Sequence, residues 1–499
     1  MATSKQDSLS SSASVAAQSP SPLSLSLKPD AASTAAKIPN MLETQKTSCP
    51  LALYHGRPAH LSGLDVTLLH PVFSEFQASI RRDLDTFPFE QNDLALTDDY
   101  LLQMSSYLSE EPDRQIATAP LMAHFFGDSA AMRTELASNS QRYMPDGVLI
   151  AHLLELYPAR EHGRYKGKTL FREMENGVGS GGVDPVDQGL QDYQLHCQDN
   201  AITRLHQASY VPAFLLAEAA PNFVIYGLCY EQGHVVAQPL TECVSVIPRA
   251  GVPGDMQSIV YTPDECHLAS ITRCFRSLAN SLQALRLYYQ TLKPASPQPD
   301  LLQPSPHFTT FNAGGNTHTL VYHEQLACNR ASPQRAVFRA TVDSAGASRM
   351  CVVKFAKSYN SEAHRSMTAL GHAPRLLHCQ REPSVGNFYV VIAEFISEIT
   401  NPQPQQYESL QPALVQFHAQ GFVYGELRLP NVLVDEAGCP KLVDFDWSGK
   451  AGSVRYPRLL NMELHWPPGV APMAQITAEH DMWMLAHLPQ VSPAVDTES

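Results

Sequence analysis

Short apolar runs dominate the middle of the chain: Thr169 to Met174, Ala213 to Ala219, Phe223 to Tyr230 and His234 to Gln238. Runs of this length, rich in β-branched and aromatic residues, predict strands, and Glu231-Gln232-Gly233 predicts a hairpin turn between the last two. Helical spacing precedes them at Pro71 to Arg82 and Asp98 to Leu108. A longer helix follows. Thr262-Pro263-Asp264-Glu265 supplies an N-cap, a proline at the first helical position and a capping-box glutamate. Leu268, Ile271, Phe275, Leu278, Leu282, Leu285 and Tyr289 then step by threes and fours. That stripe fits either a helix packed on its own domain or a coiled-coil seam. Beyond it, Thr319 to Leu326, Ala336 to Val342, Met350 to Phe355 and Phe388 to Phe395 predict four more strands, and Tyr407 to Gln420 a helix.

Composition divides the chain. Residues 1–48 are rich in Ser, Ala and Pro and bury too little apolar surface to offset ordering entropy, so disorder is expected there. The proline-rich stretch 294–306 predicts a linker between domains at 49–293 and 307–490, with 491–499 as a tail. The fold class expected is α+β. Thirty-five basic residues face 49 acidic ones, a net charge of −14, which predicts no strong nucleic-acid binding. The ten cysteines form no C-x-x-C pair, as expected of reduced thiols. No signal peptide is expected, since Lys5 and Asp7 lead into Ser/Ala/Pro-rich sequence, and no membrane span, since Glu218, Pro221 and Asn222 interrupt the most apolar stretch. The expected location is intracellular, cytoplasmic or nuclear.

One lysine, Lys354, lies among apolar neighbours in Met350-Cys-Val-Val-Lys-Phe355 and needs an anion to offset its desolvation. Downstream come His418-Ala-Gln-Gly-Phe-Val-Tyr424-Gly-Glu426-Leu-Arg428-Leu-Pro-Asn431, then Val432-Leu-Val and Lys441-Leu-Val-Asp444-Phe-Asp446. In order and spacing this resembles the catalytic loop and metal-binding motif of protein kinases. With Glu479-His-Asp481-Met-Trp, the region also looks like a group of uncharacterised basidiomycete proteins with a short kinase-like domain. The resemblance implies a catalytic group of Glu426, Arg428, Asn431 and Asp444, with Mg²⁺ on Asn431 and Asp444. It implies ATP held by Lys354, paired with Glu362, and a hinge at Glu394. Asp481 is expected to support the catalytic loop.

Several positions depart from the kinase pattern. Glu426 stands where an Asp is usual, and its extra methylene moves the carboxylate by about 1.5 Å. Tyr424 replaces the usual His. The turn from Cys328 to Arg335 has no Gly, which hinders close backbone approach to phosphates. Little sequence follows Asp481, so the later helices that usually hold a protein substrate are not expected.

In the middle region Asp146, Glu173, Glu175 and Gln188, with Tyr193 beyond, resemble a degenerate PD-(D/E)xK nuclease site. Glu175 stands where the resemblance would place Lys, so the positive charge that helps orient an attacking water is missing. Three functions follow as expectations: a kinase-like protein binding ATP and Mg²⁺ with reduced or specialised phosphotransfer to protein hydroxyls; a pseudokinase scaffold for an unknown protein partner; and a metal-dependent nuclease regulated by the kinase-like part.

Overall fold

The structure is a computed structural model. It describes residues 31–46, 49, 51–131, 136–138, 141–143, 145–152, 166–178, 182–199, 202, 205–248, 258–292, 305–326, 335–344, 347–397 and 404–488. Helices and sheets mix throughout, as an α+β chain should.

The first domain carries helices α1 (Ala32–Ala35), α2 (Ile38–Thr44), α3 (Val66–Leu69), α4 (Pro71–Ser79), α5 (Asp93–Ser105), α6 (Glu111–Phe126) and α7 (Asp128–Ala131). A small hairpin, β1 (Leu136–Ser138) with β2 (Gln141–Tyr143), precedes the main sheet. That sheet runs in the order β3 (Gly147–His152), β4 (Lys166–Glu175), β5 (Ala213–Ala219), β6 (Asn222–Glu231) and β7 (His234–Pro239), with β8 (Val244–Ser245) beside β6. The pairings are antiparallel except β4 with β5, which are parallel and joined through α8 (Pro185–Cys197). Alternation along β5 sends Phe214 and Leu216 to one core and Leu215 and Ala217 to another. On the first side lie α3 to α6 and α9 (Pro263–Thr291); on the second lies α8, whose Leu190 and Tyr193 pack on the sheet. Gly189 lets α8 approach, because a Cβ there would fall 2.4 Å from Leu215.

The long helix starts as its sequence predicts: Glu265 Oε2 accepts the Thr262 backbone N–H at 2.7 Å, and both halves of the capping box form. Its apolar stripe is not a coiled-coil seam. Ile271, Phe275, Leu278, Leu282, Leu285 and Tyr289 are all buried in their own domain, with Phe275 stacked on Phe223 at 5.1 Å. A fully buried ion pair, Arg172 Nε to Glu218 Oε2 at 2.6 Å, ties β4 to β5, and Tyr100 Oη donates to Glu218 Oε1 at 2.7 Å.

Residues 31–46, expected to be disordered with the rest of 1–48, are helical where described. Ala32 packs on Leu195, Met41 enters the α8 core, and the Gln45 amide exchanges hydrogen bonds with the Leu53 backbone at 2.8 and 2.9 Å. Composition missed this because the ordering contacts come from α8 and the backbone at Leu53, not from the segment itself. Residues 1–30 and most of the expected linker, 294–304, lie outside the described residues.

The second domain opens with six strands: β9 (Thr310–Ala313), β10 (Asn316–Gln325), β11 (Val337–Ser344), β12 (Ala347–Ala356), β13 (Leu376–Glu382) and β14 (Phe388–Glu394). They form one antiparallel sheet, in the order β13-β14-β12-β11-β10-β9, with α10 (Ser361–Ala369) between β12 and β13. After it come α11 (Pro404–Glu408), α12 (Leu410–Ala419), β15 (Phe422–Val423), the hairpin β16 (Val432–Val434) with β17 (Pro440–Leu442), then β18 (Gly449–Lys450) and α13 (Ala478–Ala486). The two domains touch directly. Ser74 Oγ donates to the Ser384 carbonyl at 2.6 Å, the His307 backbone N–H donates to the Leu68 carbonyl at 2.9 Å, and one apolar cluster continues from Phe73 to Val385.

Candidate functional site

A charged cluster of the second domain forms where the sheet meets the loops after α12. Alternation along β12 buries Cys351, Val353 and Phe355 in the sheet's core and turns Lys354 to the other face. There its ammonium lies 2.7 Å from Asp444 Oδ1 and 2.8 Å from Asp446 Oδ2. Burial alone would lower this ammonium's pKa, yet Asp444 and then Asp446 hold it above the usual lysine value. Glu362 does not take part. It is exposed in the first turn of α10, and the short path from Lys354 leaves its carboxylate facing solvent, so the expected Lys354–Glu362 pair is corrected to Lys354–Asp444–Asp446.

Asp444 adopts φ +69°, in the left-handed region that Asp tolerates because its side chain bonds locally. Here Asp444 Oδ1 accepts the Asp446 backbone N–H at 3.3 Å. The turn is pinned on both sides. Ser358 Oγ donates to the Asp446 carbonyl at 3.0 Å, and the Asn360 backbone N–H donates to the Phe445 carbonyl at 3.2 Å. Phe445 is buried, stacked on His364 and edge-on to Tyr424. Burial pushes the Asp446 carboxyl up to about 7, aided by Asp444 and opposed by Lys354. Asp444 is held below the usual carboxylate range: burial would raise it, and Lys354 outweighs that.

The loop carrying Glu426 is built around a fully buried carboxylate, Asp481. Its Oδ2 accepts the Tyr424 backbone N–H at 2.8 Å and meets His418 Nε2 at 3.0 Å; its Oδ1 accepts the Gly425 backbone N–H at 2.7 Å. Gly425 needs its lack of a side chain, since it sits at φ +90° and a Cβ would meet Ile476 at 2.7 Å. Asn431 closes the loop by donating Nδ2–H to the Glu426 carbonyl at 3.0 Å, and its own carbonyl accepts the Val443 N–H at 3.0 Å, just before Asp444. Tyr424 Oη donates to the Val443 carbonyl. Glu426 forms a close ion pair with Arg428. Its carboxyl is raised by burial and by Asp444, against the pull of Arg428.

Thus Lys354, Asp444, Glu426, Arg428 and Asn431 belong to one neighbourhood. Glu394 ends β14 and is paired to Arg375 at 2.7 Å. Asp446 was not among the expected site residues; its signal was a second Asp two positions after Asp444, where the kinase pattern has Gly. The glycine-free turn expected at 328–335 lies outside the described residues except Arg335. Among the described residues no group of three His, Cys, Asp or Glu side chains is arranged to hold a metal. Asp444 and the Asn431 amide are nonetheless the hard oxygen donors that Mg²⁺ takes, and Mg²⁺ commonly completes its shell with water and phosphate rather than an all-protein cage.

In the first domain Asp146, Glu173 and Gln188 do come together. Asp146 Oδ2 accepts the Met174 backbone N–H at 2.8 Å, and Gln188 Nε2 donates to Glu173 Oε2 at 2.7 Å. Asp192 acts on Glu173 and Lys168 on Asp192, and neither stood out in the sequence. Burial raises the Glu173 carboxyl well above its usual range, with Asp192 and Asp146 adding to the rise. Asp146, Glu173, Asp192 and Lys168 are all buried. Glu175 is only half-buried and borders a cavity of about 610 Å³ whose lining includes Arg57, Val178, Asp184, Asp187 and Val224. No described helix is long and apolar enough to cross a membrane.

Comparison with known proteins adds little. No protein-family model matches the chain, and no curated protein matches it. Among solved structures, the chain is similar to the kinase PK-1 of Cydia pomonella granulovirus, at 12% identity over 36% of this chain and 75% of that one, with a TM-score of 0.28. A likeness this remote carries no argument about activity.

Proposed function

We propose that the second domain is a protein-kinase-like module that binds ATP with Mg²⁺ and transfers phosphate slowly or to a specialised protein hydroxyl. The observation that carries this reading is the meeting of Lys354, from the middle of the sheet, with Asp444, beside a loop in which Asp481 organises Glu426 and Asn431. Lys354 would face the nucleotide phosphates, and Asp444 with Asn431 would hold the metal, whose contribution is to neutralise charge on the phosphates. Glu426 would accept the proton of the attacking hydroxyl. Its raised carboxyl is a stronger base than an ordinary glutamate, but the ion pair with Arg428 turns it aside.

The test is thermal. ATP with Mg²⁺ at a hundred times its dissociation constant should stabilise the protein by about 2.7 kcal/mol. The shift should vanish in Lys354→Met and Asp444→Ala. No shift in the parent protein at millimolar ATP would end the proposal.

The Glu426–Arg428 pair also favours a second reading, a pseudokinase scaffold for a protein partner, which predicts nucleotide binding without transfer. The nuclease reading is the weakest of the three, because Asp146 and Glu173 are buried away from solvent.

A further inference from the structure

Asp446 has no part in the reading above, yet it takes half of the lysine that reading depends on. Lys354 presents one ammonium, and Asp446 Oδ2 sits 2.8 Å from it, almost as near as Asp444 Oδ1 at 2.7 Å. A nucleotide phosphate would need that same ammonium. The main chain cannot readily carry Asp446 away, because Ser358 and Asn360 hold the carbonyls of Asp446 and Phe445. Phe445 is itself wedged between His364 and Tyr424. With the main chain held, rotation of the Asp446 side chain opens that side of the Lys354 ammonium. The other carboxylate oxygen, Oδ1, is shielded from solvent and finds no hydrogen-bond partner among the described residues, so the Lys354 ammonium is the main counter-charge that Asp446 has.

Charge balance points the same way. In their charged forms, Asp444, Asp446 and Glu426 outnumber Lys354 and Arg428, leaving the cluster one negative charge in excess. A bare polyphosphate entering here meets repulsion until a cation offsets it or a carboxylate withdraws.

We propose that Asp446 is a built-in competitor for Lys354: its carboxylate occupies the ammonium in the nucleotide-free chain, and the nucleotide binds only by displacing it. This rests on the ATP-binding reading and adds to it a residue that sets the affinity. A glycine or a neutral side chain at this position would leave Lys354 bound to Asp444 alone. If Asp446 holds the site closed in nine molecules of ten, the apparent dissociation constant is about tenfold weaker than the intrinsic one.

The experiment is calorimetric titration of the full chain with ATP, with and without Mg²⁺, in the parent, Asp446→Asn and Asp446→Gly. Asparagine keeps the shape and removes the charge; the glycine variant guards against a folding defect peculiar to one substitution, and melting curves check both. The expected result is affinity about tenfold tighter in both variants, with a larger gain when Mg²⁺ is left out. Equal or weaker affinity in folded variants, beside a parent that binds, overturns the competitor role and leaves the nucleotide reading standing. Absence of binding in all three proteins overturns the nucleotide reading, and the competitor role with it.

Discussion

Asp481 and Gly425 lie 56 positions apart, and Asp481 Oδ1 accepts the Gly425 backbone N–H at 2.7 Å. The same carboxylate takes the Tyr424 N–H and faces His418. One buried charge thus fixes the entry to the loop that carries Glu426. Asp481→Ala strands two backbone donors away from water. Hydrogen bonds to a charged group contribute about 1.5–3 kcal/mol each, so a loss of about 3 kcal/mol is expected. Calorimetry should show the melting temperature falling by several degrees, while the exposed neighbour Glu479→Ala changes it little.

His364 lies flat on Phe445, ring centres 4.6 Å apart and planes 6° from parallel. Its Nε2 donates to the Pro374 carbonyl at 2.8 Å, and its Nδ1 accepts from Tyr359 Oη at 2.7 Å, so both nitrogens are used by the neutral ring. Burial pushes its pKa down to about 4, with the Pro374 bond opposing. The unfolded chain therefore takes up the proton first as pH falls. The stability due to the neutral ring is complete above about 6.5 and lost as pH falls toward 4. Between pH 7.5 and 5 the loss should be about 2 kcal/mol. His364→Phe keeps the stacking and removes the titration, so urea midpoints measured at the two pH values should differ less in the variant.

How much of this was legible in the sequence depended on where each constraint lay. Strand and helix positions were legible because alternation and capping are local: Ala213–Ala219 forms as expected, and the capping box opens the helix at Pro263. The loop from His418 to Asp444 was legible because its residues are close in sequence and meet in space. Glu362 misled because a spacing resemblance says nothing of which carboxylate wins the lysine; Asp444 and Asp446 arrive from ninety residues on. Likewise Asp192 meets Glu173 and Lys168 only because α8 packs on β4, and α1 and α2 borrow their order from the same helix.

Glu173 gives a test of the first domain. Its carboxyl is raised by burial, then by Asp192 and Asp146, so its charged form costs stability at neutral pH. Glu173→Gln keeps the shape without the charge and should raise the melting temperature, by roughly 2–4 °C for each kcal/mol gained in a domain of this size. A catalytic carboxylate would instead show its loss as lost activity. DNA incubated with the parent protein and Mg²⁺ or Mn²⁺ should stay uncut, and cleavage that disappears in Asp146→Ala would reverse the assignment.

Glu426 is where the kinase-like and scaffold readings part. A general base must come within about 2.6–3.2 Å of the hydroxyl it deprotonates, and a well-placed one contributes typically 10²–10⁴-fold. Glu426 is paired to Arg428 two residues on, so its carboxylate points along its own loop. Aspartate is shorter by one methylene and cannot hold Arg428 as closely from the same backbone. Glu426→Asp should therefore raise autophosphorylation, or transfer to a generic protein acceptor, about tenfold or more. Nucleotide affinity should stay nearly the same, because Lys354 and Asp444, not Glu426, would hold the phosphates and metal. Arg428→Gln, which frees Glu426 without shortening it, should raise transfer in the same direction. Radiolabelled phosphate incorporation, measured beside nucleotide affinity, separates the outcomes. Transfer that falls in Glu426→Asp means the glutamate is an adapted base already in place; nucleotide binding with no transfer in any of the three proteins makes the scaffold the better account.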